Sequence, residues 1–134
     1  MGWLGFLIGG GYVFYMWGTV ASTTKHKSYN TLFNSKTYLN HLAFSVALSG
    51  FGLYRCLTID HRSTWFSAPT IFLIAFFVSD KVVCCLTGRH IIMASRYDYK
   101  PPHYRWYIDA PFSILIVSAA LVIPGMLMSY FRPY

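Results

Sequence analysis

Glutamate is absent from these 134 residues, and the whole acidic complement is four aspartates. Charge of either sign is scarce, at 11% of residues, against about 25% for an ordinary soluble domain. A soluble chain this poor in charge would struggle to stay dispersed. There are no paired carboxylates for general acid–base work, no glycine-rich phosphate loop followed by Lys-Ser/Thr, no H-E-x-x-H and no Ser-His-Asp context. The three cysteines, Cys56, Cys84 and Cys85, fit no C-x-x-C or zinc spacing, which points to free thiols. The net charge of +7 divides among short segments beside apolar runs, so it is not the footprint of a nucleic-acid-binding protein.

What the chain does have is hydrophobic length: 55% of residues are hydrophobic and 19% aromatic. Residues 1–22 carry no formal charge, residues 110–131 carry none, and a third charge-free run lies between Lys36 and Arg55. About 20 helical residues cross a ~30 Å hydrocarbon core. With a fourth run beginning near Pro69, the expectation is one all-α integral membrane domain over 1–134. Its four transmembrane helices fall at about 2–21, 38–56, 66–92 and 110–131, joined by short basic loops. The first run has neither a basic leader nor an Arg-rich amphipathic pattern, so it reads as a retained helix. Thr37 suits an N-cap for the second helix and Asp109 the start of the fourth, and Pro69 fits a first turn.

Basic residues give an orientation. Lys25, Lys27 and Lys36 in the first connection, with Arg89, Arg96, Lys100 and Arg105 at the third, outnumber Arg55, Arg62 and Arg132 on the other side. The positive-inside rule then puts both termini outside, on the intermembrane-space side if the membrane is the mitochondrial inner one. Lys25, Lys27, Lys36, Arg96, Lys100 and Arg105 are candidate contacts for anionic headgroups such as cardiolipin.

Two small-residue faces suggest close helix packing. Gly5 and Gly9 stand in a G-x-x-x-G spacing on the first helix, and Ala43, Ala47 and Gly50 share a face of the second. The stretch "FLIAFFVSDKVVCCLTGRH" places Asp80 and Lys81 inside an apolar run. Each costs about 2.5–3.5 kcal/mol at the centre of a membrane helix. Lys81 can snorkel. Asp80 is too short, and its expected partner is a group on another subunit, with an ion or proton path through a small transporter as an alternative. Pro124 inside the last helix predicts a kink. His41 and His90 begin and end their helices near one surface, where two imidazoles can ligate a haem b iron.

The residues "CLTGRHIIM" look like the G-x-R-H stretch of the cytochrome b membrane anchor of succinate dehydrogenase, with Gly88, Arg89 and His90 standing for that group at a spacing one residue short, Cys84 where that family has its upstream histidine and no Asp where that family has one after it. That resemblance implies a haem- or ubiquinone-binding anchor using His41, His90 and Arg89. The tail "APFSILIVSAALVIPGMLMSYFRPY" is similar to the single span of a small complex I accessory subunit, and the opening helices look like another. These resemblances imply a non-catalytic accessory subunit of a mitochondrial respiratory complex, packed against other membrane subunits and requiring no cofactor of its own.

Overall fold

In the computed structural model the described residues are 2–21, 31–94, 100 and 102–131. Four α-helices carry the fold: α1 Gly2–Tyr15, α2 Ser35–Thr58, α3 Ala68–Thr87 and α4 Trp106–Tyr130. Cross-helix contacts fix their directions. Tyr38 near the start of α2 donates to the Leu73 carbonyl of α3, and Ser49, further along α2, bonds Thr70 near the start of α3. Successive helices therefore run antiparallel.

The core is built from the first helical stretch, α3, α4 and the segments beside them, with Tyr38 and Leu42 of α2 packed against it. Val13 and Met16 come from the first helical stretch, Phe72, Leu73, Phe76 and Val83 from α3, and Ile116 and Ala120 from α4. Ile91 and Met93 of the α3–α4 connection also enter it. The hydroxyls of Thr58, Thr87, Ser113 and Ser129 each donate to the carbonyl four residues back. That satisfies a hydroxyl in apolar surroundings without leaving the helix.

Four membrane-length helices were expected, and among the described residues two qualify: the continuous stretch His61–Thr87 and Trp106–Tyr130. The reason is local. α1 keeps α geometry for 14 residues, about 21 Å at 1.5 Å per residue, before the chain widens into a π-helical stretch at Met16–Ala21. α2 is long enough, but Lys36, Asn40, His41, Ser45, Ser49 and Arg55 dilute its apolar character. Boundaries differ too. α2 starts three residues earlier than expected because Asn34, not Thr37, caps it by accepting from the Lys36 N–H (3.1 Å). α3 stops at Thr87, because Gly88 adopts a left-handed φ of 70° and donates its N–H to the Cys84 carbonyl. Arg89 and His90 thus lie outside the helix. α4 begins at Trp106, so Asp109 sits within its first turn. Pro124 lies inside α4, which continues to Tyr130.

The glycine stripe of α1 is used within the chain. A seven-residue 3₁₀ segment, His61–Ser67, precedes α3 and wedges between α1, α2 and α4. A Cβ on Gly9 would stand 2.0 Å from the Trp65 carbonyl oxygen, one on Gly5 3.3 Å from the Arg62 carbonyl, and one on Gly52 2.5 Å from the Phe66 Cβ. Three glycines on two helices clear room for one unusually long 3₁₀ turn. Thr64 of that segment donates to the Pro124 carbonyl (3.0 Å) and ties it to α4. Pro69 takes a position in the first turn of α3, where a missing N–H is harmless.

Gly9→Ala is expected to destabilise the protein by about 1–3 kcal/mol through overpacking. Gly50→Ala, with nothing within 4 Å, is expected to be neutral or stabilising by up to about 1 kcal/mol. Thermal unfolding in detergent, followed by circular dichroism, checks the pair. Equal melting temperatures would refute the close approach of α1 to the 3₁₀ segment.

Candidate functional site

The charged residues expected to need outside help are paired inside the chain. Asp80, on α3 seven residues before its end, is buried. Its two oxygens lie 2.9 and 3.1 Å from Nδ1 of His90, and one also accepts the Ile91 N–H at 3.0 Å. The partner sought on another subunit is thus supplied by the connection leaving α3, ten residues along the same chain. Gly88 makes this possible by turning the chain back beside its own helix. Lys81 points outward, its ammonium 5.4 Å from the centre of the Phe77 ring.

Asp109 is the second anchor, and it is fully buried. Arg89 grips it with both terminal nitrogens, at 3.1 and 2.7 Å. The Ile92 N–H (3.1 Å) and the Arg105 N–H (2.8 Å) complete four donors around one carboxylate. Its place in the first turn of α4 sets negative charge against the positive end of the helix dipole. Within the connection the assignments cross: Arg89 and Ile92 go to Asp109, while His90 and Ile91 go to Asp80. Tyr104, just before α4, has its phenol pushed up by burial and, secondarily, by the Asp109 carboxylate.

Beside Asp80 lies an open cleft of about 410 Å³, walled by Phe33, Tyr38, Phe76 and Phe77 and ending on Asp80 and His90. The His90 ring rests against Phe33, centroids 4.4 Å apart. An ionised carboxylate only accepts, so Asp80 assigns a proton to Nδ1, and Nε2 is the ring nitrogen left facing away from it.

The remaining sequence candidates scatter. His41, expected near His90, is bonded through Nδ1 to the Tyr12 hydroxyl of α1. Its ring is tilted against that tyrosine, 5.9 Å between centroids. The two imidazoles are therefore held by different partners. Arg89 serves Asp109. Ala43, Ala47 and Gly50 of α2 are exposed, and no described residue covers that face. Lys36, Lys100 and Arg105 are exposed at one end of the molecule, the end that also holds the α3–α4 connection. Lys25, Lys27 and Arg96 lie outside the described residues. No group of three or more metal-ligating side chains occurs among the described residues.

Sequence reasoning gave Asp109 only a helix-start role. The signal available was a lone carboxylate at the edge of a charge-free run, with Arg89 at the edge of the run before it. No protein-family model, curated protein or solved structure matches the chain.

Removing the Asp109 charge with Asp109→Asn strands Arg89 beside a buried neutral amide and is expected to cost about 3–5 kcal/mol. Asp80→Asn keeps an acceptor for the Ile91 N–H, and its expected cost is about 1–3 kcal/mol. Denaturant unfolding in mixed micelles ranks the two. A larger loss for Asp80→Asn would show that the Arg89–Asp109 pair is not the main anchor.

Proposed function

We propose that this chain is a small integral membrane protein acting as a non-catalytic structural subunit of a larger membrane assembly. The observation that carries the reading is where its apolar surface lies. Large hydrophobic side chains are exposed on every helix: Leu7 and Phe14 on α1, Leu39 and Phe51 on α2, Val78 and Leu86 on α3, Leu115 and Met126 on α4. A soluble monomer rarely tolerates a contiguous apolar patch of more than a few hundred Å². Lipid and neighbouring helices are the surroundings that match such a skin. Trp106, Tyr107 and Tyr130 stand exposed at the two ends of α4, at the levels where amphipathic rings favour the headgroup region.

The assembly half of the reading rests on α2. Its exposed Ala43, Ala47 and Gly50 form a flat strip on the helix least suited to meet lipid by itself, since it also carries Asn40 and Arg55. Small residues let a neighbouring helix come close and gain dispersion contacts. The resemblance of the tail and opening helices to accessory subunits of complex I makes a mitochondrial inner-membrane respiratory complex the assembly of choice. In that setting Lys36, Lys100 and Arg105 would face anionic lipid such as cardiolipin on the matrix side, and both termini the intermembrane space.

Extraction from native membranes in mild detergent, followed by native electrophoresis and mass spectrometry, tests this. The chain is expected in a large complex. The double variant Ala43→Leu/Ala47→Leu, altered only at exposed positions, is expected to move most of the chain to a small species while keeping its helical content. Wild-type protein migrating as a small species would overturn the assembly reading.

A further inference from the structure

The cleft beside Asp80 holds chemistry that a structural role does not use. Its walls are aromatic, and its polar end is one imidazole held in place from two sides. The Asp80 carboxylate fixes the Nδ1 edge at 2.9 Å, and the Phe33 ring lies tilted against the imidazole, 4.4 Å between centroids. The His90 side chain is nevertheless 61% exposed. The Tyr38 hydroxyl is already committed to the Leu73 carbonyl, so the ring nitrogen Nε2 of His90 is the acceptor offered to a ligand there.

A carboxylate–histidine pair can present either polarity at Nε2. With a neutral ring it accepts from a hydroxyl. With an imidazolium, balanced by Asp80, it donates to a carbonyl. That versatility suits a ligand whose ring oxygen alternates between those two forms. Lys81 and Ser35 also line the cleft and offer donors for a second ring oxygen. The size lies in the range of about 300–1,000 Å³ typical of small-molecule sites, and aromatic walls favour a flat ring. Leu39 lines the cleft as well and is 59% exposed, so an apolar tail can leave across it onto the hydrophobic skin of α2. A phosphate headgroup fits less well, because the Asp80 carboxylate lies at the polar end.

We propose that this cleft binds the ring of a quinone or quinol, with one ring oxygen on Nε2 of His90, the other toward Lys81, and the isoprenoid tail passing over Leu39. The site belongs to the single chain and stands or falls apart from the assembly reading.

The test titrates decylubiquinone into the full-length protein in detergent, with binding read by isothermal calorimetry and fold by circular dichroism. Saturable binding of one equivalent is expected. His90→Ala should weaken it by about tenfold or more through loss of the polar anchor. Leu39→Trp, a change at an exposed rim position that fills the cleft, should weaken it comparably with the helical content unchanged. If His90→Ala fails to fold, Leu39→Trp decides. Absence of saturable binding to the wild type, or binding that Leu39→Trp leaves intact, overturns the proposal. So does competitive displacement of the quinone by added phosphatidylglycerol, which would reassign the cleft to lipid.

Discussion

Two buried carboxylates facing one short connection are the constraint on which this fold depends. Asp80 lies on α3 and Asp109 in the first turn of α4, and the residues from Arg89 to Ile92 divide between them, the outer two to Asp109 and the inner two to Asp80. A carboxylate in an apolar interior is unfavourable by several kcal/mol unless charge and hydrogen bonds replace its water. Asp109 recovers both from Arg89 and two backbone N–H groups, and Asp80 recovers hydrogen bonds from His90 and one backbone N–H. The same bonds satisfy backbone donors that a non-helical stretch would otherwise leave bare. Pairing of this kind adds little net stability, because desolvation consumes most of the Coulombic gain. Its larger effect is to penalise every arrangement in which the partners separate. The register of α3 against α4, and the insertion of Ile91 and Met93 into the core, follow from it.

The opposite end of the molecule is organised by shape. There the 3₁₀ segment His61–Ser67 takes the space left by Gly5, Gly9 and Gly52, and its Thr64 hydroxyl reaches the carbonyl of Pro124. Proline removes one donor from the hydrogen-bond ladder of α4, and a threonine from a neighbouring element donates to the carbonyl of that same proline. One end is thus held by charge-assisted bonds with strict partners, the other by close backbone packing with strict sizes. α1 and α2 gain their places through the second kind.

The helical class and the approximate extents of α2, α3 and α4 were legible in the sequence, because they rest on run length and charge spacing. Asp80 was legible as a problem but not in its solution. The missing step was Gly88, whose left-handed φ ends α3 two residues before His90 and folds the connection back. Read as one helix to residue 92, the segment would carry His90 about 15 Å up the axis from Asp80. The G-x-x-x-G stripe was likewise visible, but the element it meets was not, since a 3₁₀ stretch has no periodic signature separating it from the start of α3. Four spans were expected from three charge-free runs and one apolar run interrupted at Asp80 and Lys81. The run test did not weigh the uncharged polar residues of α2 or the π-helical widening after Tyr15.

Because the chain satisfies its own deep charges, what it offers to its surroundings differs from what the sequence alone suggests. An unpaired Asp80 would have made assembly an electrostatic event, with a cation on a neighbour as the specific contact. With Asp80 and Asp109 both closed internally, the outward faces are apolar skin, a strip of small residues on α2 and a basic rim at one end. Association through such faces depends on shape and dispersion, where a single added methylene matters and salt does not. The exception is His90, which is paired through one ring nitrogen and open at the other. Closing the α3–α4 connection and presenting a hydrogen-bonding group to an aromatic cleft are accomplished by the same residue. The clamp is therefore also what would position a ligand there.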